Sequence, residues 1–424
     1  MPPRTARRAG ANAGTAETPL RFEQRLVLNQ WLLGLFGVPS FDRLTANLKA
    51  PEFEGFDENN VTRFHHNLRL LFDRPELPHD LLLAYDQNIV RHWRRITERR
   101  NHAGAFLYPK YFQYLALLFA EIYLDRYFRD PEGLLAQLNA HVNAFNQNAP
   151  EASRIDPYTR QDLNKVAFWM ATGSGKTLLM HINILQYLHY LQAHHSEREL
   201  NRIILLTPNE GLSHQHLEEF RLSGIEAELF SKEGRGHSTG RAVEILDIHK
   251  LREEMGEKTV AVDAFEGNNL VLVDEGHRGT SGAEIGAWMQ KRNQLCENGF
   301  SFEYSATFGQ AMKASGNRAL EQTYAKCILF DYSYKYFYGD GYGKDYRILN
   351  LADDSDESVR RRYLTACLLT FYQQLKLYRD KREEFRPFLI ERPLWIFVGG
   401  SVNAVRSENK RKVSDVVEHP PFPG

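Results

Sequence analysis

Apolar residues recur with helical spacing through the first third of the chain. Broad apolar faces run along residues 25–36 and 111–127, and each predicts an amphipathic helix. Aromatic side chains at this spacing are more typical of core packing than of a platform for stacking bases. We therefore expect an all-helical domain over residues 20–150. A tail over residues 1–19, rich in Ala, Gly, Thr and Arg, is expected to be disordered.

From residue 151 the pattern changes to short apolar runs separated by helical stretches. The clearest runs are residues 203–206, 270–273 and 300–304. This alternation favours an α/β fold, a parallel sheet with helices on both faces, which we predict over residues 151–335. A helical connection is expected over residues 336–392, with a long amphipathic helix from Val359 to about Arg382. Another apolar run begins at Pro393.

A glycine-rich loop follows the apolar run at residues 166–170. Its residues are Ala171, Thr172, Gly173, Ser174, Gly175, Lys176 and Thr177. Glycines let backbone N–H groups turn toward a phosphate, the lysine reaches the β- and γ-phosphates, and the threonine hydroxyl binds Mg²⁺. Met170 stands where the general pattern has its first glycine, but a strand, a loop and a helix follow one another in the order that puts phosphates on a helix N-terminus. The segment predicts an ATP site, with Thr177 as a ligand of Mg²⁺.

Two carboxylates, Asp274 and Glu275, follow the apolar run at residues 270–273. Because ligands of open α/β sheets bind at the carboxyl ends of the strands, we expect both at the same edge as the loop. Asp274 is suited to bind Mg²⁺, directly or through water, and Glu275 to orient and deprotonate the attacking water. His277 is expected near the γ-phosphate. Ser305 and Thr307, after a further strand, could pass the state of the nucleotide to a nucleic-acid track.

These three blocks, in this order, resemble motifs I, II and III of superfamily 2 helicases, and in particular the group typified by the Res subunit of type III restriction enzymes. Residues 205–213 resemble motif Ia, and residues 245–250 stand where motif Ib would fall. In that family these two motifs touch the nucleic-acid backbone. The resemblance assigns this role to Thr207, Pro208, Asn209 and Lys250. One departure is Gly276, where the commoner pattern has alanine, a position whose role is mostly steric.

The resemblance, over roughly residues 150–400, implies a P-loop RecA-like lobe that uses ATP with Mg²⁺ and binds nucleic acid, DNA in preference to RNA. Motors of that superfamily take an arginine finger from a second lobe, which residues 393–424 could only begin. We therefore expect the first lobe of a DNA helicase or translocase that hydrolyses ATP slowly by itself. Its candidate partners are a second lobe, a nuclease or a methyltransferase. The open alternative is a non-hydrolysing module that binds ATP or a partner protein.

The composition of the chain indicates a cellular compartment but does not identify a ligand. With 42% hydrophobic and 25% charged residues in 424, the chain has ordinary globular usage. Its net charge of −1 offers no global attraction to nucleic acid, although a local groove would suffice. Its three cysteines are far apart, and no apolar run is long enough to span a membrane. We expect a cytoplasmic protein without membrane contacts.

The sequence also disfavours two other classes of nucleotide-binding protein and contains one local patch of positive charge. A GTPase is disfavoured because no Asn-Lys-x-Asp segment follows the loop, and a small-molecule kinase has no use for the second and third blocks. Residues 92–101 carry dense positive charge around Trp93. They are either a solvated helix face or a patch that contacts phosphates.

Overall fold

The computed structural model describes residues 18–72, 74–101, 106–194, 200–230, 242–248, 267–276, 292–343, 345, 356–388 and 390–396. The chain divides into two compact units, the first ending at residue 344 and the second beginning at residue 345. Of the tail expected over residues 1–19, residues 1–17 lie outside the described part.

The first unit combines a group of helices with one sheet. Its α-helices are α1 (Val27–Leu35), α2 (Phe41–Thr45), α3 (Arg63–Leu71), α4 (His79–Thr97), α5 (Tyr111–Arg129), α6 (Pro131–Asn148), α7 (Lys176–Ala193), α8 (Glu210–Leu222), α9 (Phe308–Ser315), α10 (Arg318–Cys327) and α11 (Tyr334–Gly339). Its strands are β1 (Lys165–Met170), β2 (Arg202–Thr207), β3 (Ala227–Leu229), β4 (Val243–Asp247), β5 (Asn269–Asp274), β6 (Phe300–Ser305) and β7 (Ile328–Tyr332). Short 3-10 helices lie at Phe22–Arg25, Pro51–Phe53, Glu151–Ser153 and Gln161–Asn164.

The strands form a parallel sheet in the order β3-β4-β2-β5-β6-β1-β7. The register places Trp169 of β1 beside Ser305 of β6, and Tyr304 of β6 beside Asp274 of β5. The carboxyl ends of these strands therefore lie at one edge of the sheet. This confirms the predicted parallel sheet and brings the three motif-bearing strands next to one another.

Helices cover both faces of the sheet. Successive side chains of a strand point to opposite faces, and residues 166–170 of β1 are apolar on both faces. On one face Val166, Phe168 and Met170 of β1 belong to the main hydrophobic core, which they share with α1, α4, α5 and α7. On the other face Ala167 and Trp169 pack with residues of α9 and α10. The predicted arrangement of helices on both faces is confirmed.

The helices before residue 150 share the main core with the sheet. Phe112 of α5 stacks on Tyr332 of β7, with ring centroids 4.0 Å apart. Trp31, Tyr114 and Tyr123 are buried, so the aromatic residues of α1 and α5 serve in packing, as their spacing predicts. α5 is buried along almost its whole length because α4, α6, α7 and β7 all pack against it.

The second unit contains a long helix, α12 (Glu357–Asp380), then α13 (Arg382–Phe385) and a 3-10 helix at Arg386–Phe388. The predicted amphipathic helix is therefore present, shifted by about two residues. Residues 390–396 contain neither helix nor strand, and the start of a second lobe over residues 393–424 stays a prediction. Residues 397–424 lie outside the described part.

Among the residues with described structure, no helix combines the length and the apolar character needed to cross a membrane.

Candidate nucleotide site

The glycine-rich loop joins the end of β1 to the start of α7. Gly173 has a φ of +85° and Gly175 a φ of +88°, a backbone region that residues with a Cβ rarely adopt. The Ser174 hydroxyl donates a hydrogen bond of 2.7 Å to the carbonyl oxygen of Ala171, which closes the turn. The loop delivers Lys176 to the first position of α7. Backbone N–H groups and the helix dipole favour an anion there.

The Lys176 ammonium group is partly buried beside the loop carbonyls. Its Nζ lies 3.3 Å from the carbonyl oxygen of Met170 and 3.4 Å from that of Ala171. Burial lowers the pKa of Lys176, an effect that Glu275 and Asp274 oppose. The carbonyl oxygens accept hydrogen bonds from the ammonium group but carry no negative charge. A bound phosphate would neutralise the positive charge of Lys176, which the carbonyl groups cannot do. The loop therefore fits a nucleotide phosphate.

Asp274 is the last residue of β5 and is held by two hydrogen bonds. His216 Nε2 donates to its Oδ2 at 2.9 Å, and the backbone N–H of Glu275 donates to its Oδ1 at 3.0 Å. Burial by itself would raise the pKa of Asp274, but His216 and Lys176 outweigh it and lower the pKa below its ordinary value. The carboxylate is therefore ionised at neutral pH. An ionised, oriented carboxylate beside a phosphate loop is a donor that fits Mg²⁺.

Glu275 adopts a strained backbone conformation, with a φ of +54°. Among the described non-glycine residues only Asn60 shares a positive φ, and asparagine tolerates this region better than glutamate. Such strain costs on the order of 1–3 kcal/mol and is concentrated at functional sites. The turn places Glu275 directly after Asp274, at the carboxyl edge of the sheet.

A buried ion-pair network supports the turn after β5. The carbonyl oxygen of Gly276 accepts a hydrogen bond of 3.0 Å from Arg292 Nη1, and Arg292 pairs with Glu303 of β6. Lys165 Nζ lies 3.2 Å from Glu303 Oε1. Burial alone would raise the pKa of Glu303, but the charges of Arg292 and Lys165 lower it to about 2. The turn after β5 thus rests on a buried pair, Arg292 and Glu303, that stays ionised throughout the physiological range.

The packing around Gly276 gives the departure from alanine a physical reason. A Cβ at this position would lie 3.3 Å from Glu303 Oε2 and 3.3 Å from Phe308 Cζ. Both neighbours are fully buried, so they have little room to move away. A glycine here lets the turn approach β6 more closely than an alanine would.

The third block lies beside the second across the β5–β6 pairing. The Ser305 hydroxyl oxygen accepts a hydrogen bond of 3.0 Å from the backbone N–H of Thr307. The Thr307 hydroxyl is buried and has no hydrogen-bond partner among the described residues. His277 lies outside the described residues. The coupling role of His277, Ser305 and Thr307 stays a prediction.

Part of this site falls within a match to a known protein family. Residues 134–310 match the family described as "Type III restriction enzyme, res subunit". This part of the chain is similar to that family, in line with the resemblance to superfamily 2 helicases. The match covers the glycine-rich loop, both carboxylates and the third block. No curated protein matches the chain.

Three solved structures are similar to part of this chain. The Sulfolobus solfataricus SWI2/SNF2 ATPase core in complex with dsDNA is 12% identical, over 38% of this chain and 31% of that one, with a TM-score of 0.27. S. cerevisiae Dbp5, bound to Nup159, Gle1, IP6 and ADP, is 18% identical over 38% of this chain and 40% of that one, with a TM-score of 0.24. T4 UvsW is 17% identical over 47% of this chain and 40% of that one, with a TM-score of 0.28. The matched part spans less than half the length of each.

Three of the four residues assigned to nucleic-acid contacts, Thr207, Pro208 and Asn209, lie at the carboxyl end of β2. Thr207, at the end of β2, is buried, and its hydroxyl lies 2.6 Å from the Ser213 hydroxyl. Pro208 is also buried. Asn209 is exposed, and its Oδ1 accepts a hydrogen bond of 3.0 Å from the backbone N–H of Leu212, which caps α8. Lys250 lies outside the described residues. The exposed polar group at this position is therefore Asn209.

In the basic patch at residues 92–101, Trp93 and Arg100 make contacts within the fold, whereas Arg94 and Arg95 face solvent. Trp93 is buried, and its Nε1 donates a hydrogen bond of 2.8 Å to the carbonyl oxygen of Leu107, so its ring does not offer a stacking surface. Arg100 donates to Glu219 Oε2 at 2.6 Å and ties the end of α4 to α8. Arg94 and Arg95 are exposed.

Two residues of the site belong to none of the motifs. Gln113 of α5 donates a hydrogen bond of 2.9 Å from Nε2 to the carbonyl oxygen of Ser174. His216 of α8 holds Asp274. Gln113 stands 61 residues before its partner and His216 stands 58 before its own. No spacing pattern in the sequence joins such distant positions, so only the folded chain reveals them.

Proposed function

We propose that this chain binds ATP with Mg²⁺ and hydrolyses it as the motor lobe of a nucleic-acid-dependent DNA helicase or translocase. One observation carries the proposal: the phosphate loop, Asp274 and Glu275 lie at the carboxyl edge of one parallel sheet, in register with the strand that ends at Ser305. That edge is where ligands bind in open α/β sheets.

Each residue has a distinct task in this proposal. Lys176 and the N–H groups at the start of α7 bind the phosphates. Thr177 and Asp274 hold Mg²⁺, which when bound neutralises charge on the phosphate oxygens. Glu275 orients a water and accepts its proton. The remaining residues of the loop position the phosphate oxygens through their backbone. They are Ala171, Thr172, Gly173, Ser174 and Gly175.

Turnover by the chain alone is expected to be slow. An arginine that stabilises charge on the γ-phosphate contributes roughly 10³–10⁵ in rate in nucleotide hydrolases. Arg292 contacts the Gly276 carbonyl, but it is fully buried and paired with Glu303, which makes it unsuited to reach a phosphate. The resemblance implies that a second lobe supplies the arginine, and that a nuclease or methyltransferase completes the assembly.

A titration with a fluorescent ATP analogue in the presence of MgCl₂ tests the nucleotide site. We expect Lys176→Ala to weaken binding by about 10- to 100-fold, because a charge-assisted contact contributes about 1.5–3 kcal/mol. Lys313→Ala is the matched control, since Lys313 is exposed on α9. Equal affinities for the wild type and Lys176→Ala would refute the assignment.

Phosphate release in the steady state tests the hydrolysis. We expect a low rate for the isolated chain, with and without single-stranded DNA, and little further change in Glu275→Gln. Robust turnover stimulated by DNA would show that the arginine comes from within the chain or from self-association. Tight nucleotide binding without turnover, even with an added second lobe, would favour the non-hydrolysing alternative.

The track is proposed to lie along the ends of β2 and β4. Backbone groups near Thr207 and Pro208, the Asn209 side chain and Lys250 would contact phosphates without reading bases. We expect sequence-independent binding that weakens steeply with salt, because phosphate contacts release counterions. Fluorescence anisotropy with a labelled oligonucleotide across a salt series measures this. Binding that survives the triple change Lys250→Glu, Arg94→Glu and Arg95→Glu would place the track elsewhere.

A further inference from the structure

The hydrogen bond between His216 and Asp274 joins α8 to the end of β5, across 58 positions of the sequence. The imidazole Nε2 lies 2.9 Å from Asp274 Oδ2. Only 5% of the His216 side chain and 14% of the Asp274 side chain are exposed. Among the described residues, the other ring nitrogen, Nδ1, has no hydrogen-bond partner. Among the described residues, the buried His216 ring therefore makes its hydrogen bond to Asp274, the candidate metal ligand.

The helix that carries His216 is fixed at its start. Asn209 caps it, and the buried Ser213 hydroxyl bonds to Thr207 at the end of β2. β2 in turn pairs with β5, with Leu206 beside Val273. The first turns of α8 thus lie in a fixed position relative to the end of β5, and His216 is delivered to Asp274 from the neighbouring strand.

The same helix is fixed at its other end. The Ser223 hydroxyl, just after α8, lies 2.7 Å from His181 Nδ1 of α7 and accepts a hydrogen bond of 2.7 Å from Arg100 Nη1. The His181 ring also stacks on Phe220, with centroids 4.2 Å apart. Because α7 begins at the phosphate loop, α8 is held between the nucleotide-binding helix and the metal-binding strand.

We propose that His216 is a positioning residue for Mg²⁺, which fixes the orientation of Asp274 and makes the affinity for the metal depend on the placement of α8. This inference rests on the proposed function, because it takes Asp274 as a ligand of the nucleotide-bound metal. A carboxylate that accepts one hydrogen bond on Oδ2 keeps its remaining lone pairs aimed in a set direction. Partners of this kind are worth about 10- to 100-fold in metal affinity.

The test compares two substitutions of similar polarity that differ in reach. The amide nitrogen of glutamine can occupy the place of Nε2, whereas that of asparagine is too short to do so. A fluorescent ATP analogue at fixed concentration is titrated with MgCl₂, and the half-saturating Mg²⁺ concentration is measured for each full-length variant. His214→Asn is the control, because His214 is exposed two positions earlier on the same helix.

We expect His216→Asn to raise the half-saturating Mg²⁺ concentration by about 10-fold or more, and His216→Gln to stay close to the wild type. His214→Asn should leave it unchanged, and binding of the analogue in EDTA should be the same in all four proteins. A wild-type Mg²⁺ dependence in His216→Asn overturns the inference while leaving the proposed function intact. Equal losses in both His216 variants, or a loss that persists in EDTA, indicate damaged packing and also overturn it. Failure of the wild type to bind the analogue with Mg²⁺ overturns the proposed function, and this inference with it.

Discussion

Gln113 and Ser174 connect the helical region before residue 150 to the phosphate loop. Gln113 Nε2 donates a hydrogen bond of 2.9 Å to the Ser174 carbonyl oxygen, and Gln113 Oε1 accepts one of 2.9 Å from the backbone N–H of Lys110. The amide is thereby fixed at the first turn of α5. A Cβ on Gly175 would lie 2.4 Å from Gln113 Nε2, so the loop and this side chain are in close contact.

Gln113→Ala is expected to weaken binding of a fluorescent ATP analogue by about 3- to 10-fold, since one hydrogen bond contributes about 0.5–1.5 kcal/mol. Without this hydrogen bond the free loop would adopt more conformations, and ordering them when the nucleotide binds would lower the affinity. Gln87→Ala, at an exposed position on α4, should bind as the wild type does. Unchanged affinity in Gln113→Ala would mean that the loop holds its shape without α5.

Glu275→Gly is expected to raise the free energy of unfolding by about 1 kcal/mol. Glycine removes the strain of the positive φ, and the greater conformational entropy of glycine in the unfolded chain offsets only part of this gain. Urea unfolding followed by circular dichroism measures the change. Asn60→Gly should produce a smaller gain, because asparagine already tolerates its φ of +59°. A lower stability for Glu275→Gly would show that the glutamate side chain contributes more to the fold than its backbone costs.

Gly276→Ala is expected to lower the free energy of unfolding by about 1–3 kcal/mol, the usual cost of overpacking a buried site. The added methyl would press on Glu303 and Phe308, which are fully buried. Gly34→Ala is the matched control. A Cβ there meets nothing within 4 Å, and alanine in the interior of α1 should stabilise the protein by roughly 0.5–1 kcal/mol. Equal effects of the two substitutions would contradict the close approach at Gly276.

The stability of the protein should depend on pH through Glu121, which is fully buried in α5. Its carboxylate accepts hydrogen bonds from Asn88 and Gln186, but burial raises its pKa to about 7 from the ordinary 4.5. The folded state therefore binds the proton more tightly than the unfolded state. This contribution is complete below pH 4.5 and is lost as the pH rises through about 7.

Glu121→Gln removes this titration, so the stability of the variant should improve relative to the wild type as the pH rises from about 4.5 to about 7, by on the order of 3 kcal/mol. Urea unfolding of both proteins at several pH values gives the difference. Burial lowers the pKa of His65 to about 4 and of His92 to about 3. These histidines act in the opposite direction, but equally in both proteins, so they cancel. A difference that does not change with pH would contradict the raised pKa of Glu121.

The phosphate loop and the parallel sheet could be predicted because local sequence encodes them. Gly173, Gly175 and Lys176 combine backbone requirements with chemistry in consecutive positions, and the runs ending at Asp274 and Ser305 are apolar enough to mark buried strands. The order of the strands in the sheet was not predictable. It is set by which strands pair across long stretches of chain, and periodicity does not record that.

The contacts of Gln113 and His216 show the same limit at the level of single residues. Gln113 lies on a helix that the apolar spacing of residues 111–127 predicts, but an amphipathic pattern tells which face of a helix is buried and not what covers it.

The family match and the compact unit do not share their boundaries. The match begins at residue 134, inside α6, and ends at residue 310, inside α9. It therefore leaves out β7, which pairs with β1, and α5, which lies against α7. A chain cut at those limits would expose the apolar faces that these elements cover. The segment that matches the family is thus smaller than the compact unit that contains it, and a substitution deep in α5 should change the melting of the sheet as much as one in the sheet itself.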